Sequence, residues 1–93
     1  MDLIKHSVPF SEMLAGLAEE CSELAQAALK LRRVITHENP TPITEKTAVD
    51  RLHEEIADVK LYVSMMDVDD QKISKIMEEK HHRWEQRLLE VRK

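Results

Sequence analysis

The stretch EMLAGLAEECSELAQAALKLRR, residues 12–33, decides how the chain folds. Its leucines and alanines return every three or four positions, the period of a helix with one apolar side rather than the alternation of a half-buried strand. Within it, LAEECSEL at 17–24 places three glutamates in about one and a half helical turns. LHEEIADV at 52–59 repeats that arrangement thirty-five residues later.

Working outward, Ser7 or Ser11 is positioned to cap this first helix, which is expected to reach about Arg33, with Pro9 tolerable only in its first turn. THENPTPIT, residues 36–44, then stops it. Two prolines one residue apart forbid regular helix, and Asn39 before Pro40 is pushed toward an extended conformation. Thr41 or Thr44 restarts the chain as a second helix carrying EKTAVDRLHEEIADVKLYVSMM. DVDD at 67–70 supplies a turn and an N-cap for a third helix, from about Asp70 to Arg92, with acids at its start and Arg87, Arg92 and Lys93 toward its end, as the helix dipole favours. Ile73, Met77, Trp84, Leu88 and Val91 give that helix one packing stripe.

The composition agrees with an all-α chain. A single glycine and three prolines, with abundant Leu, Ala, Glu, Lys, Met and Arg, favour helix over sheet. Ninety-three residues make one domain, 1–93. Three helices of twenty-odd residues cannot bury all their stripes in so small a monomer, so the expectation is an antiparallel hairpin plus a third helix packed across it or onto a partner chain. A four-helix-bundle-like core is then completed in a homodimer or in a tetramer built as a dimer of dimers. Cys21 has no partner for an internal disulfide, and its place in the apolar stripe makes a buried thiol the ordinary expectation. No apolar run approaches the roughly twenty residues of a membrane span, and the opening MDLIKHSVPF lacks a signal-peptide core, so a cytoplasmic, membrane-free protein is expected. The net charge is −4 with dispersed basic residues, which argues against duplex nucleic acid as a partner.

At about 100° per residue, Leu17, Cys21, Leu24, Ala28 and Leu31 centre about 60° to one side of Glu20, while Glu23 falls about 60° to the other side and Glu19 about 100°. Leu52, Ile56, Val59, Val63 and Met66 form the same stripe beside Glu55, with Asp58 matching Glu23 and Glu54 matching Glu19. Glu20 and Glu55 are thus expected at the edge of the packed stripes. If the two stripes meet, Glu20, Glu23, Glu55 and Asp58 line one seam, where four carboxylates repel unless a cation compensates. An all-oxygen set suits a hard ion, Mg²⁺ or Mn²⁺, which completes its shell with water and substrate phosphates. The bland alternative is a solvated acidic face laced to lysines at i+4. Here Glu20 meets Leu24, Glu23 meets Ala27 and Glu55 meets Val59, so lacing does not explain the pattern.

EECSE at 19–23 followed by EIAD at 55–58 resembles the EExxE and ExxD motifs of the MazG-like all-α nucleoside triphosphate pyrophosphohydrolases, a group that includes dimeric dUTPases and phosphoribosyl-ATP pyrophosphatase. The resemblance extends through ELAQAALKLRR, NPTPIT, LHEEIADVKLY and KHHRW, over about residues 11–87, with 31 residues between Glu23 and Glu55, at the long end for the family. It implies cleavage between the α- and β-phosphates of a nucleoside triphosphate, with Mg²⁺ held by Glu20, Glu23, Glu55 and Asp58. Glu19 would then orient water, hold a second ion, or be merely exposed. It also implies that a Lys/Arg pair on the following helix, here Lys80 and Arg83, contacts phosphate, from the same subunit or its neighbour.

A triphosphate needs further cations. Arg51 lies one turn before Glu55 on the same face, and Lys30 two turns beyond Glu23, although each is also readable as a plain surface charge. Trp84 is a candidate to stack on a base, and its stripe position equally suits packing. The alternatives are phosphoribosyl-ATP hydrolysis and a non-catalytic helical interaction module. HEEIAD lacks the second histidine of HExxH, and with Gly16 as the sole glycine there is no phosphate-binding glycine loop.

Overall fold

Three short polar side chains start three of the helices. In the computed structural model, which describes residues 2–37 and 41–92, the chain forms α1 (Leu3–Ser7), α2 (Phe10–Thr36), α3 (Glu45–Met65) and α4 (Asp70–Val91). The Asp2 carboxylate accepts the Lys5 N–H at 3.1 Å. The Thr44 hydroxyl accepts the Thr47 N–H at 3.1 Å, and the Asp69 carboxylate the Lys72 N–H at 3.0 Å. Each satisfies one of the N–H groups that a helix start leaves without an internal partner. Among the described residues there is no strand. Asn39 and Pro40, read above as an extended break, lie outside the described residues.

The start of α2 departs from expectation. Ser7 ends α1 and Ser11 lies inside α2, so neither caps the long helix; Pro9 stands at the N-cap position without a side-chain bond. Asp2 has captured the leader as a separate helical turn. Val8 before Pro9 is extended, at φ −98° and ψ 119°, which ends that turn. At the other end α2 passes Arg33 and runs to Thr36, where His37 takes a left-handed conformation (φ 57°) and its N–H returns to the Arg33 carbonyl at 3.0 Å.

α2 and α3 form an antiparallel hairpin and make the extensive helix–helix contact of the chain. Their seam is rotated from the expected stripes toward the glutamates. Met13, Ala27, Ala48 and Met66 are buried, Leu17, Leu24, Leu31, Leu52, Val59 and Tyr62 are half-buried, and Glu20 and Glu55 sit among them. Cys21, expected to be buried, is exposed, as are Ala28, Ile56 and Val63. The rotation brings Gly16, Ala27 and Ala48 into the contact, and small residues there allow the axes to approach closely. A methyl group built on Gly16 overlaps the far end of the Tyr62 ring from α3, so a larger residue there would push the ring aside.

The rotation also gives the hairpin two unlike faces. Taking about 100° per residue, Phe10, Leu14, Cys21 and Ala28 of α2 lie on the same outer side as Val49, Ile56 and Val63 of α3, an apolar face. Glu23 and Lys30 of α2 lie on the opposite side with Thr47, Arg51 and Asp58 of α3. α4 covers neither face. It has no buried residue, and its stripe is in the open, with Met77 64%, Trp84 63% and Val91 82% exposed. The expectation that this helix packs across the hairpin is therefore not met within one chain. Met66 is extended (ψ 149°), and residues 66–69 join α3 to α4. The radius of gyration is accordingly 17.3 Å, against about 12 Å for a compact chain of this length, and the extents are 45 × 40 × 19 Å. No helix among the described residues is long and apolar enough to cross a membrane.

Gly16→Ala is expected to change stability in urea unfolding by no more than about 1 kcal/mol, because displacing the end of the Tyr62 ring offsets alanine's better helix propensity. In a Tyr62→Ala background the same change is expected to stabilise, since the space is then open.

Candidate metal centre

Glu20 projects from the middle of α2 and Glu55 from the middle of α3, each at a position that an apolar residue would take in a plain hairpin. Glu23 joins them from one turn further along α2. One carboxylate oxygen from each of Glu20, Glu23 and Glu55 lies within 4.8 Å of the others. Glu55 is 6% exposed. One oxygen of Glu55 and one of Glu20 are buried with no hydrogen-bond partner among the described residues. The nearest cation, Arg51, has its Nε 3.9 Å from the other Glu55 oxygen and keeps a largely exposed side chain. That separation is too long for a hydrogen bond and leaves the pair screened by water.

Burial pushes the Glu20 carboxyl above its ordinary value, and the nearby charges of Glu23, Asp58 and Glu55 push it further. Burial likewise raises Glu55, reinforced by Glu23 and Asp58 and opposed by Arg51. Like charges held together in a partly dry seam are costly unless something positive intervenes. The residues present fit a hard divalent cation: three convergent carboxylates, two with orphaned oxygens, and no nitrogen or sulfur donor among them.

Of the five acids singled out in the sequence, the structure thus gathers Glu20, Glu23 and Glu55. Asp58 is exposed beside them, near enough to shift two of them but outside the converging set. Glu19 is exposed and takes no part in the set. Lys30 and Arg51 share one cleft with Glu23, next to the acids and toward the α2–α3 connection; Gln26 and Thr47 complete its polar wall over Ala27 and Ala48. Sequence reasoning missed Gln26 and Thr47. The available signal was positional, since Gln26 follows Glu23 by three and Thr47 precedes Arg51 by four, on the acidic side of each helix.

Lys80, Arg83 and Trp84 are not brought to this cleft. They line a separate open depression formed by α4 residues alone, with Met77 and His81. His81 Nδ1 is 3.2 Å from the Glu85 carboxylate on the same helix. No family model, curated protein or solved structure matches the chain. Fold and site together define an all-α protein with a carboxylate cluster in the seam of a helical hairpin.

The raised carboxyls fix the sign of the pH dependence. A group held more tightly protonated in the folded state contributes stability below its unfolded value, near 4.5, and loses it as pH rises through the raised one. The protein without divalent ions is therefore expected to melt at a lower temperature at pH 7.5 than near pH 5. Mn²⁺ or Mg²⁺ should reverse this, with an increment that shrinks on acidification as protons compete for the ligands; at about 100 times its dissociation constant an ion stabilises by about 2.7 kcal/mol. Thermal melts of Glu55→Gln should show a higher melting temperature without metal and no metal increment.

Proposed function

We propose that this protein is a divalent-metal-dependent nucleoside triphosphate pyrophosphohydrolase of the MazG-like kind, converting a nucleoside triphosphate to the monophosphate and pyrophosphate. The observation that carries the reading is the pair of buried, unpartnered carboxylate oxygens on Glu20 and Glu55, converging with Glu23 beside a cleft that holds two cations. A stable fold does not need such a cluster, whereas a polyphosphate carried with a hard cation does.

Glu20, Glu23 and Glu55 would hold Mg²⁺, or Mn²⁺ in its place, with Asp58 at the rim able to complete the set. The ion, when bound, supplies neutralisation of phosphate oxygens and a lowered pKa for water. In the reaction a water oxygen attacks the α-phosphorus, the bond from that phosphorus to the α–β bridging oxygen breaks, and its electron pair leaves with pyrophosphate. The water's protons pass to solvent or to an exposed rim carboxylate, Glu19 or Asp58. Lys30 and Arg51 face the incoming phosphates. The reading places this work among the nucleotides of the cytoplasm.

The same reading accounts for the uncovered apolar surfaces. The hairpin's apolar face and the α4 stripe are open in one chain, and a second copy would cover the hairpin face by pairing hairpins into a four-helix core. A dimer, or a tetramer built from two, would also give Lys80, Arg83 and Trp84 a route to a neighbouring site. Sedimentation is expected to show the wild type as a dimer or larger, and Ile56→Asp with Val63→Asp as a monomer.

A pyrophosphate-release screen with Mg²⁺ across NTPs, dNTPs and phosphoribosyl-ATP tests the activity. Turnover of at least one nucleotide is expected, falling by about 10²–10³-fold in Glu55→Gln with helicity unchanged, the scale of losing one electrostatic stabiliser. Absence of release from every nucleotide would mark the chain instead as a helical interaction module.

A further inference from the structure

The cleft between the acid cluster and the α2–α3 connection, about 360 Å³ in volume, has a composition that fixes which part of a substrate it takes. Beside the Glu23 carboxylate its polar wall carries hydrogen-bond donors from both helices: Lys30 and Gln26 from α2, Arg51 and Thr47 from α3. Lys30 and Gln26 have no partner among the described residues. Thr47 is oriented by its neighbour. The Thr44 oxygen accepts the Thr47 N–H at 3.1 Å and donates its own proton to the Thr47 oxygen at 2.9 Å. The Thr47 hydroxyl, having accepted that bond, keeps its proton to give away. The floor is small and aliphatic, Ala27 and Ala48, and no aromatic ring lines the cleft, so nothing there stacks on a base.

Four donors opposite one another, beside carboxylates suited to a cation, describe a seat for an anion more highly charged than a single carboxylate. We propose that this cleft binds the leaving pyrophosphate, the β- and γ-phosphates of the triphosphate, with Thr47 and Gln26 as direct ligands beside Lys30 and Arg51. The inference rests on the pyrophosphohydrolase reading and adds a direction to it. The phosphate chain runs from the acid cluster toward the α2–α3 connection, and the nucleoside extends the opposite way, toward the Gly16 and Tyr62 end of the hairpin. Hydrogen bonds from Thr47 and Gln26 to the departing oxygens then favour the electron pair's movement onto pyrophosphate as the bond to the α-phosphorus breaks.

Calorimetric titration of the full chain with inorganic pyrophosphate and with a nucleoside monophosphate, both in Mg²⁺, tests this. Thr47→Val and Gln26→Leu are each expected to weaken pyrophosphate about tenfold and leave the monophosphate and Mn²⁺ alone unaffected, with Thr47→Ser restoring the affinity. Thr44, which caps α3, is unchanged in every variant, and circular dichroism reports retained helicity. Unchanged pyrophosphate affinity in the double variant, or equal weakening of the monophosphate, overturns the assignment while wild-type hydrolysis and Mn²⁺ binding leave the enzyme reading standing. A wild type that neither hydrolyses any triphosphate nor binds Mn²⁺ removes both.

Discussion

Two glutamates occupy the seam of a helical hairpin, where packing alone would have placed leucine or alanine, and most features of the molecule follow from that placement. Glu20 and Glu55 are surrounded by half-buried apolar side chains, share their space with Glu23 and Asp58, and have only a distant arginine in compensation. A hairpin of about twenty residues per arm draws its stability from the stripe it buries, so every seam position given to a carboxylate is withdrawn from that source. The seam retains it elsewhere. Gly16, Ala27 and Ala48 let the helices close on each other to either side of the acids, and the Tyr62 ring fills the space above Gly16. Close packing at the flanks holds the acidic middle in register.

With the seam rotated toward the glutamates, the apolar residues that the rotation leaves out form a continuous outer face, and α4 stands apart with its own stripe uncovered. A slab 19 Å in its smallest dimension has no interior beyond the single seam. The apolar face lies on the side of the hairpin away from the acids and their cleft. The difference between the two faces is thus a direct consequence of which residues enter the seam: one is apolar, and the other carries the acids and their cleft.

Much of this architecture was legible in the residues, and the misreadings have identifiable causes. Long helices, the non-helical stretch at Pro42, the cap at Thr44 and the turn at 67–70 follow from local chemistry, which tertiary contacts do not override here. The rotation was not legible. Counting apolar residues centres the stripe about 60° from Glu20 and draws Cys21 and Ala28 into it, whereas the helices meet where Gly16, Ala27 and Ala48 allow the nearest approach, and a hydropathy pattern gives small residues little weight. The same blindness hid the leader. Asp2 caps a separate turn because Pro9 cannot propagate a helix backward through Val8, a choice decided by one proline ring rather than by periodicity. At the site, the three converging glutamates were readable from two matching phases, since 3.6-residue geometry carries over from helix to helix. Gln26 and Thr47 were not, because an uncharged polar residue on a helix surface is ordinary until the opposite wall of a cleft is known.

The phase relation between the two acidic phrases carries one more step. Because both helices present their acids at the same angle from the seam, and because the hairpin is antiparallel, Glu20 faces Glu55 while Glu23 is carried toward Arg51 and Lys30 toward Thr47. A shift of one residue in either phrase would turn its central glutamate about 100° out of the seam, opening the cluster and separating the cleft's donors from it. Register in this hairpin is therefore set by the small residues that permit contact, against the mutual repulsion of the acids that meet across it. Any substitution that slides the helices to relieve the acids must also drive Tyr62 off Gly16, so packing at one end of the seam opposes escape at its centre.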